Sequence, residues 1–263
     1  MSERATIHRD GFVHLSATTE VRRHASQAYK LVVGVDADVE FEVDGRSGRA
    51  PAVLVPPHVA QAMRLSGIGV AFFAELGSSR APFAGARATL DLPGGRRLER
   101  LRAIAREASC ASVDGDAGRL DEAFRALDLG RGPRVDRRAV RALAILAEET
   151  EASVESVAAR LGLSTDRLRH VVRDACGLPL RRHRLWHRTL DATERVIGGA
   201  PIGRAAIDAG FSDHAHYSRS FAAFFGRTPS SLTGPSFVAT PYGVRATSRC
   251  ASSCVGPEPD HGP

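Results

Sequence analysis

The rhythm of hydrophobic positions changes along this 263-residue chain. Up to about residue 95, apolar residues come in short runs broken by Gly, Asp or Pro: Tyr29–Val35, Val39–Val43, Ala52–Val55, Ala62–Leu65 and Val70–Leu76. Runs of that length and composition predict strands. Val39-Glu40-Phe41-Glu42-Val43 alternates strictly, as a strand with one wet face does. Asp44 to Gly48 offers a hairpin connection, and Pro56-Pro57 closes the run before it. Many short strands at this spacing predict a small barrel or sandwich.

After Gly94-Gly95 the period lengthens. Leu98, Leu101, Arg102 and Ala105 recur at helical spacing, which predicts a helix from Arg96. A second helix is predicted over Leu120–Leu129, after a turn-rich break at Val113–Gly118, and Gly130-Arg131-Gly132-Pro133 has the composition of a linker. Beyond it the pattern is helical: Ala139–Glu149, several shorter stretches, and a long helix from Pro179 to Ile197. Gly198-Gly199 closes that helix, with proline at the start and glycine past the end. From Pro235 onward Gly, Pro and Ser dominate without a period, so 236–263 is expected to be disordered.

The helical part repeats itself. Ala158-Ala159-Arg160-Leu161-Gly162-Leu163-Ser164 matches Ala206-Ile207-Asp208-Ala209-Gly210-Phe211-Ser212 at an offset of 48 residues. In each copy a short apolar helix ends at glycine, an apolar residue follows, and serine opens the next helix. That is a helix-turn-helix, present twice.

The second helix of each copy divides into two faces. In the first, Leu168, Val171, Val172 and Ala175 form the predicted core side, opposite Asp166, Arg169, His170 and Arg173. In the second, Tyr217, Phe221 and one of Phe224 or Phe225 form the core side, while His214, Ser218 and Arg219 point outward and Asp213 stands near the start. A helix anchored by one face and carrying donors and acceptors on the other suits base edges in a major groove. Arg169 can donate two parallel hydrogen bonds to guanine, His170 can reach a base or a phosphate, and Arg173 suits a phosphate. The long helix between the copies spans roughly 28 Å, against about 34 Å for one turn of B-DNA. Its Arg181, Arg182, Arg184 and Arg188 suit phosphate contacts or a solvated face equally.

Charge agrees with this without deciding it. The net charge is +6, and residues 134–235 hold sixteen Arg against eleven acids while residues 1–95 are neutral. A localised basic surface attracts polyanions. Lys30 is the one lysine; the arginine bias fits phosphate recognition and a G- and C-rich genome alike. Cys110, Cys176, Cys250 and Cys254 show no CxxC spacing, which argues against structural zinc and a disulfide framework. No apolar run approaches the roughly 20 residues of a membrane span, and the first 25 residues lack a signal-peptide core. A cytoplasmic protein is expected.

The segment from about Asp136 to Leu232 resembles the DNA-binding domain of the AraC/XylS family of bacterial transcription regulators. Its most specific part is Pro201-Ile202…Ala206…Ala209-Gly210-Phe211-Ser212-Asp213…His216-Tyr217-Ser218-Arg219-Ser220-Phe221…Phe225-Gly226-Arg227-Thr228-Pro229. The resemblance implies an all-α domain of two helix-turn-helix subdomains joined by a linker helix and bound to duplex DNA. Base-contacting positions would fall on Asp166, Arg169 and His170, and on His214, Ala215, Ser218 and Arg219. Ala222, Ala223 and Phe224 stand where the family often carries basic residues, Ala215 offers no polar side-chain group, and Leu232-Thr233 replaces the usual aromatic-basic ending.

The N-terminal half resembles the cupin-type regulatory domain of many members of that family, most closely at Val53-Leu54-Val55-Pro56-Pro57-His58. The expected architecture is α+β and multidomain: a cupin-like β-barrel over 1–95, a helical dimerisation segment and linker over 96–133, the DNA-binding domain over 134–235, and the tail. The expected partners are double-stranded DNA, a small-molecule effector near His24, Pro57 and His58, a second copy of the chain held by the helices at 97–128, and RNA polymerase if the protein activates. No cofactor, metal or membrane is implied. The rival reading is a metal-dependent cupin enzyme with an accessory DNA-binding domain. His14, His24 and His58 would have to converge across the barrel, yet no close His-His-Glu motif exists. His183 and His187, four apart on the long helix, are expected to face solvent or phosphate, since a metal there would need further ligands. No Gly-rich phosphate loop or GxSxG elbow is present.

Overall fold

Ala28-Tyr-Lys-Leu-Val-Val-Gly34 is buried along its whole length because both of its faces are covered. In the computed structural model, which describes residues 3–8, 11–17, 19–75, 90–91, 95–110, 116–127, 136–149, 152–177, 179–233 and 237–240, this strand lies inside the larger of two sheets. In chain order the strands are β1 (Glu3–His8), β2 (Gly11–Ser16), β3 (Thr19–His24), β4 (Ala28–Gly34), β5 (Val39–Val43), β6 (Arg46–Ala50), β7 (Ala52–Val55), β8 (Gln61–Leu65), β9 (Gly69–Glu75) and β10 (Leu90–Asp91). A late strand, β11 (Phe237–Thr240), completes the larger sheet, whose order is β10-β7-β4-β9-β2-β1-β11. The smaller sheet runs β3-β8-β5-β6.

The two-residue alternation of strands sorts the side chains. Tyr29, Leu31, Val33, Phe72 and Leu54 turn outward, onto two helices, α1 (Arg96–Cys110) and α2 (Asp116–Leu127). Val32, Phe73 and Val53 turn inward and meet Val39, Phe41, Val43, Met63 and Leu65 of the smaller sheet. Strand β5 has the wet face that its alternation predicts, and Asp44-Gly45 makes a tighter hairpin turn than the five-residue connection expected. Helix α2 is tied down by buried Asp116, which accepts from Thr6 Oγ1 at 2.7 Å and pairs with Arg4 and Arg119.

Two expectations change here. The apolar stripes of α1 and α2, assigned to dimerisation, are spent on the larger sheet, with Leu101, Leu120 and Leu127 almost inaccessible. The N-terminal core therefore extends beyond residue 95 into both helices. Residues 237–240 lie in the segment expected to be disordered, but they pair in parallel with β1, which otherwise ends the sheet with unpaired backbone. The rest of 236–263 lies outside the described residues.

The remainder is helical: α3 (Arg137–Glu148), α4 (Val154–Arg160), α5 (Thr165–Cys176), α6 (Leu180–Ile197), α7 (Ile202–Asp208), α8 (His214–Phe225) and a 3-10 turn at Pro229–Leu232. Helices α3, α4 and α5 share one core with Leu180 of α6; α7 and α8 share another with Ala192 and Val196 of α6. Leu101→Ala should cost about 2–5 kcal/mol in urea unfolding. A loss below about 1 kcal/mol would mean that α1 is not seated on the sheet as described.

Candidate nucleic-acid interface and the cavity behind it

The sequence repeat is a repeat of geometry. Leu163 N donates to Ala158 O at 2.9 Å, and 48 residues later Phe211 N donates to Ala206 O at 3.0 Å. Both bonds close a helix end over a left-handed glycine, Gly162 (φ 64) or Gly210 (φ 81), where a side chain would strain the backbone. The next helix is capped in each copy. Ser164 Oγ accepts from Arg167 N at 3.2 Å, and in the second copy Asp213 Oδ1, one residue past Ser212, accepts from His216 N at 2.7 Å.

On α5, Leu168, Val171 and Val172 are buried as expected, but Cys176 rather than Ala175 completes the core face. Asp166, Arg169, His170 and Arg173 are all exposed. Arg169 Nη1 donates to Asp166 Oδ1 at 2.9 Å, an exposed pair that adds little stability but orients the guanidinium. On α8, Tyr217, Phe221 and Phe224 are buried; His214 and Arg219 are exposed, and Ala215 and Ser218 are half-buried. The Asp213 carboxylate is held below its ordinary pKa by the His216 amide and the Ser212 hydroxyl. It is engaged by the helix end rather than free to contact a base.

Helix α6 has 18 residues, so it spans about 27 Å. Its four candidate arginines separate. Arg181 is exposed. Arg182 lies over the Phe224 ring at 5.7 Å. Arg184 donates to Ala152 O at 2.6 Å and Arg188 to Gly210 O at 3.5 Å, so these two reach back to the two helix-turn-helix units. His183 and His187 are 5% and 7% exposed, contrary to the solvated role expected. They face the barrel.

That face is a docking seam. Trp186 Nε1 donates to Glu75 Oε1 at 3.0 Å, and its ring packs on Phe224 and Phe225. Gln27 Nε2 donates to Arg182 O at 2.7 Å. Arg22 N and Ala25 N donate to Gly226 O and Ala223 O, so strand β3 and the residue just after it satisfy carbonyls at the end of α8. A Cβ on Gly226 would collide with Arg22 O, which is why the strand can approach so closely. Arg227 pairs with Glu3, which also meets His14. Burial alone would raise the Glu3 carboxyl, but hydrogen bonds from His14 and Arg227 bring it to about 2.

Between barrel and helices lies an apolar cavity of about 90 Å³. Phe12, Val32 and Phe73 line it from the barrel; Leu190, Ile197 and Phe221 line it from α6 and α8. Lys30 also lines it, 4% exposed, with its amine lowered by burial to about 7. Of the residues assigned to an effector pocket, none of His24, Pro57 and His58 lines this cavity. His24 abuts the end of α8, and His58 (φ 69) sits in the turn after β7. Among the described residues no group of three His, Cys, Asp or Glu could hold a metal, and no helix is long and apolar enough to cross a membrane.

Residues 157–233, which carry this doubled unit, match the helix-turn-helix domain family. The C-terminal half thus carries a helix-turn-helix DNA-binding domain. No curated protein matches the chain. Among solved structures, ToxT from Vibrio cholerae aligns with 88% of this chain and 98% of its own, at 11% identity and a TM-score of 0.57. The same protein with unsaturated fatty acid bound aligns with 84% of this chain and 92% of its own, at 13% identity and a TM-score of 0.56. At such identities the likeness establishes the shared two-domain fold. Ser164→Ala should cost about 0.5–2 kcal/mol in thermal or urea unfolding, by removing the cap of α5. An unchanged midpoint would mean that water replaces the serine without loss.

Proposed function

We propose that the protein recognises specific duplex DNA by laying α5 and α8 in successive major-groove segments, and that an apolar carboxylic acid bound behind α6 controls that recognition. The observation that carries the first part is the pair of identically closed helix-turn-helix units mounted on one rigid helix. Arg169, His170 and Arg173 serve the first half-site, and His214, Ala215, Ser218 and Arg219 the second, with the Ala215 methyl suited to a thymine methyl. Asp166 positions Arg169, and Asp213 fixes the start of α8. Arg181 is the phosphate contact best placed on α6, because Arg184 and Arg188 already bind protein carbonyls.

The effector class follows from the cavity. An ammonium buried in apolar surroundings is costly, and burial is the cause that lowers the Lys30 amine. A carboxylate beside it would restore its charge, while an alkyl or alkenyl chain would fill the apolar lining. The fatty acid bound in ToxT supports this class of ligand. Dimerisation would have to use the polar outer faces of α1 and α2, or another surface, since their apolar stripes are occupied. Contact with RNA polymerase is expected if the protein activates.

Selection from a random duplex library by the full-length protein tests the DNA reading. Arg169→Ala and Arg219→Ala should each cost about 1–3 kcal/mol on the selected site and relax its sequence at one position. Arg181→Ala should instead weaken all sequences alike and lower the salt slope by about one. Loss that is uniform across sequences for Arg169 and Arg219 would make them phosphate contacts.

Lys30→Met tests the effector. Oleate should bind the wild-type protein and bind the variant at least about tenfold more weakly, while the unliganded variant melts no lower than wild type, since an unneeded buried charge has been removed. Equal oleate affinity in both proteins would remove Lys30 from the site.

A further inference from the structure

The seam between the barrel and the DNA-binding half is lined with imidazoles that neither function above uses. His183 and His187 lie one turn apart on α6 with their Nε2 atoms 3.1 Å apart and their rings crossed at 75°. Glu75, at the end of β9, brings Oε2 to 3.8 Å from His187 Nε2. His58 acts on His183 from the turn after β7. His24, at the end of β3, lies so close to the end of α8 that a Cβ on Gly226 would come within 2.7 Å of its Nδ1.

Apart from Glu3, which His14 and Arg227 already engage, the remaining groups around these imidazoles do little to accommodate positive charge. Arg182 stands near His58 and Lys30 near His24, both cationic. Helix α5 ends there at Cys176, whose thiol donates to Val172 O. Helices α3 and α5 reach α6 through the apolar cluster at Leu180; α7 and the 3-10 turn reach it through the cluster at Ala192 and Val196. Helix α8 brings the rings of Phe224 and Phe225. Among these groups Glu75 is the carboxylate that meets the pair.

We propose that this histidine-lined seam is an acid-sensitive latch: protonation of its imidazoles parts the DNA-binding half from the barrel while each half keeps its own core. The direction follows from where the protons bind. Burial holds His24 at about 3 and both His58 and His187 at about 4, and it holds His183 well below the ordinary imidazole value. Parting the seam returns each imidazole to water and to about 6.5. The open form therefore binds more protons, so the contribution of these imidazoles to docking is complete above about pH 6.5 and is lost as pH falls toward about 4. Each imidazole released favours the open form by about tenfold at pH 5.5. Glu75 acts the other way at His187, because its carboxylate favours the imidazolium in the closed state. The proposal is independent of which DNA or effector the protein binds.

Trp186 is the sole tryptophan and sits in the seam, so the full-length protein carries its own reporter. Its emission maximum should be blue at pH 7.5 and shift to the red with a midpoint between about 4 and 6.5, with far-ultraviolet circular dichroism unchanged. His183→Gln with His187→Gln should stay blue at pH 7.5 and shift at distinctly lower pH. Glu75→Gln, which can still accept from Trp186, should move the midpoint to higher pH. An emission maximum constant over the range, or helix lost together with the shift, overturns the latch. So does a double variant that titrates like wild type. Should the double variant not fold, the Glu75→Gln midpoint decides: unmoved or lowered, it overturns the proposal.

Discussion

One helix, α6, holds three cores together. Leu180 closes the core of the first helix-turn-helix unit, Ala192 and Val196 close that of the second, and Trp186 fills the barrel interior between them. A helix apolar over most of its circumference is stable only when buried on those sides. The relative placement of α5 and α8 is thus set by a rod that is itself set by the barrel. The bond from Trp186 to Glu75 fixes its rotation, because the indole N–H would otherwise be buried without a partner.

This arrangement makes the cavity more than a void. Leu190 and Ile197 line it from α6, while Thr193, also on its wall, meets the hydroxyl of Tyr217 in α8 at 3.1 Å. Packed side chains transmit displacement because interiors are close-packed rather than fluid. A ligand that pushes on this wall pushes on α8 through Thr193 and Tyr217. No long chain of intermediates is needed, since the cavity wall and α8 share one contact.

Much of this was legible in the sequence, and the failures share a cause. The doubled unit was visible because its determinants are local: glycine, an apolar residue, then serine, at a fixed offset. Strand β5 was visible because its alternation is local too. Strands β1, β2, β3 and β6 were not singled out: Arg4, Arg22, Arg23, Arg46 and Arg49 interrupt the apolar pattern of three of them and His14 that of β2, and their stability comes from neighbours distant in sequence. The stripes of α1 and α2 were read correctly as apolar but given the wrong partner, since a period says that a face is buried and not against what. His183 and His187 failed likewise: surrounded by arginines on one helix, they look wet until a second domain covers them. Lys30 did leave a signal. A lone lysine inside the apolar run Tyr29–Val35 is either snorkelling or waiting for an anion, and a strand interior gives it nowhere to snorkel.

The cavity and the histidine seam adjoin along α6, with His187 and Leu190 within one turn of each other, and both depend on how closely that helix sits on the barrel. A carboxylate that needs the closed seam to complete its pocket binds the docked form better than the open one. Protons bind the open form better. Two ligands that favour opposite members of one equilibrium must oppose each other, and by equal factors, whichever is added first. Acid would then weaken effector binding even where the carboxylate stays ionised and Lys30 stays charged, while bound effector would drive the seam to open at lower pH. The coupling needs no contact between the imidazoles and the cavity; it follows from the single helix that both of them hold.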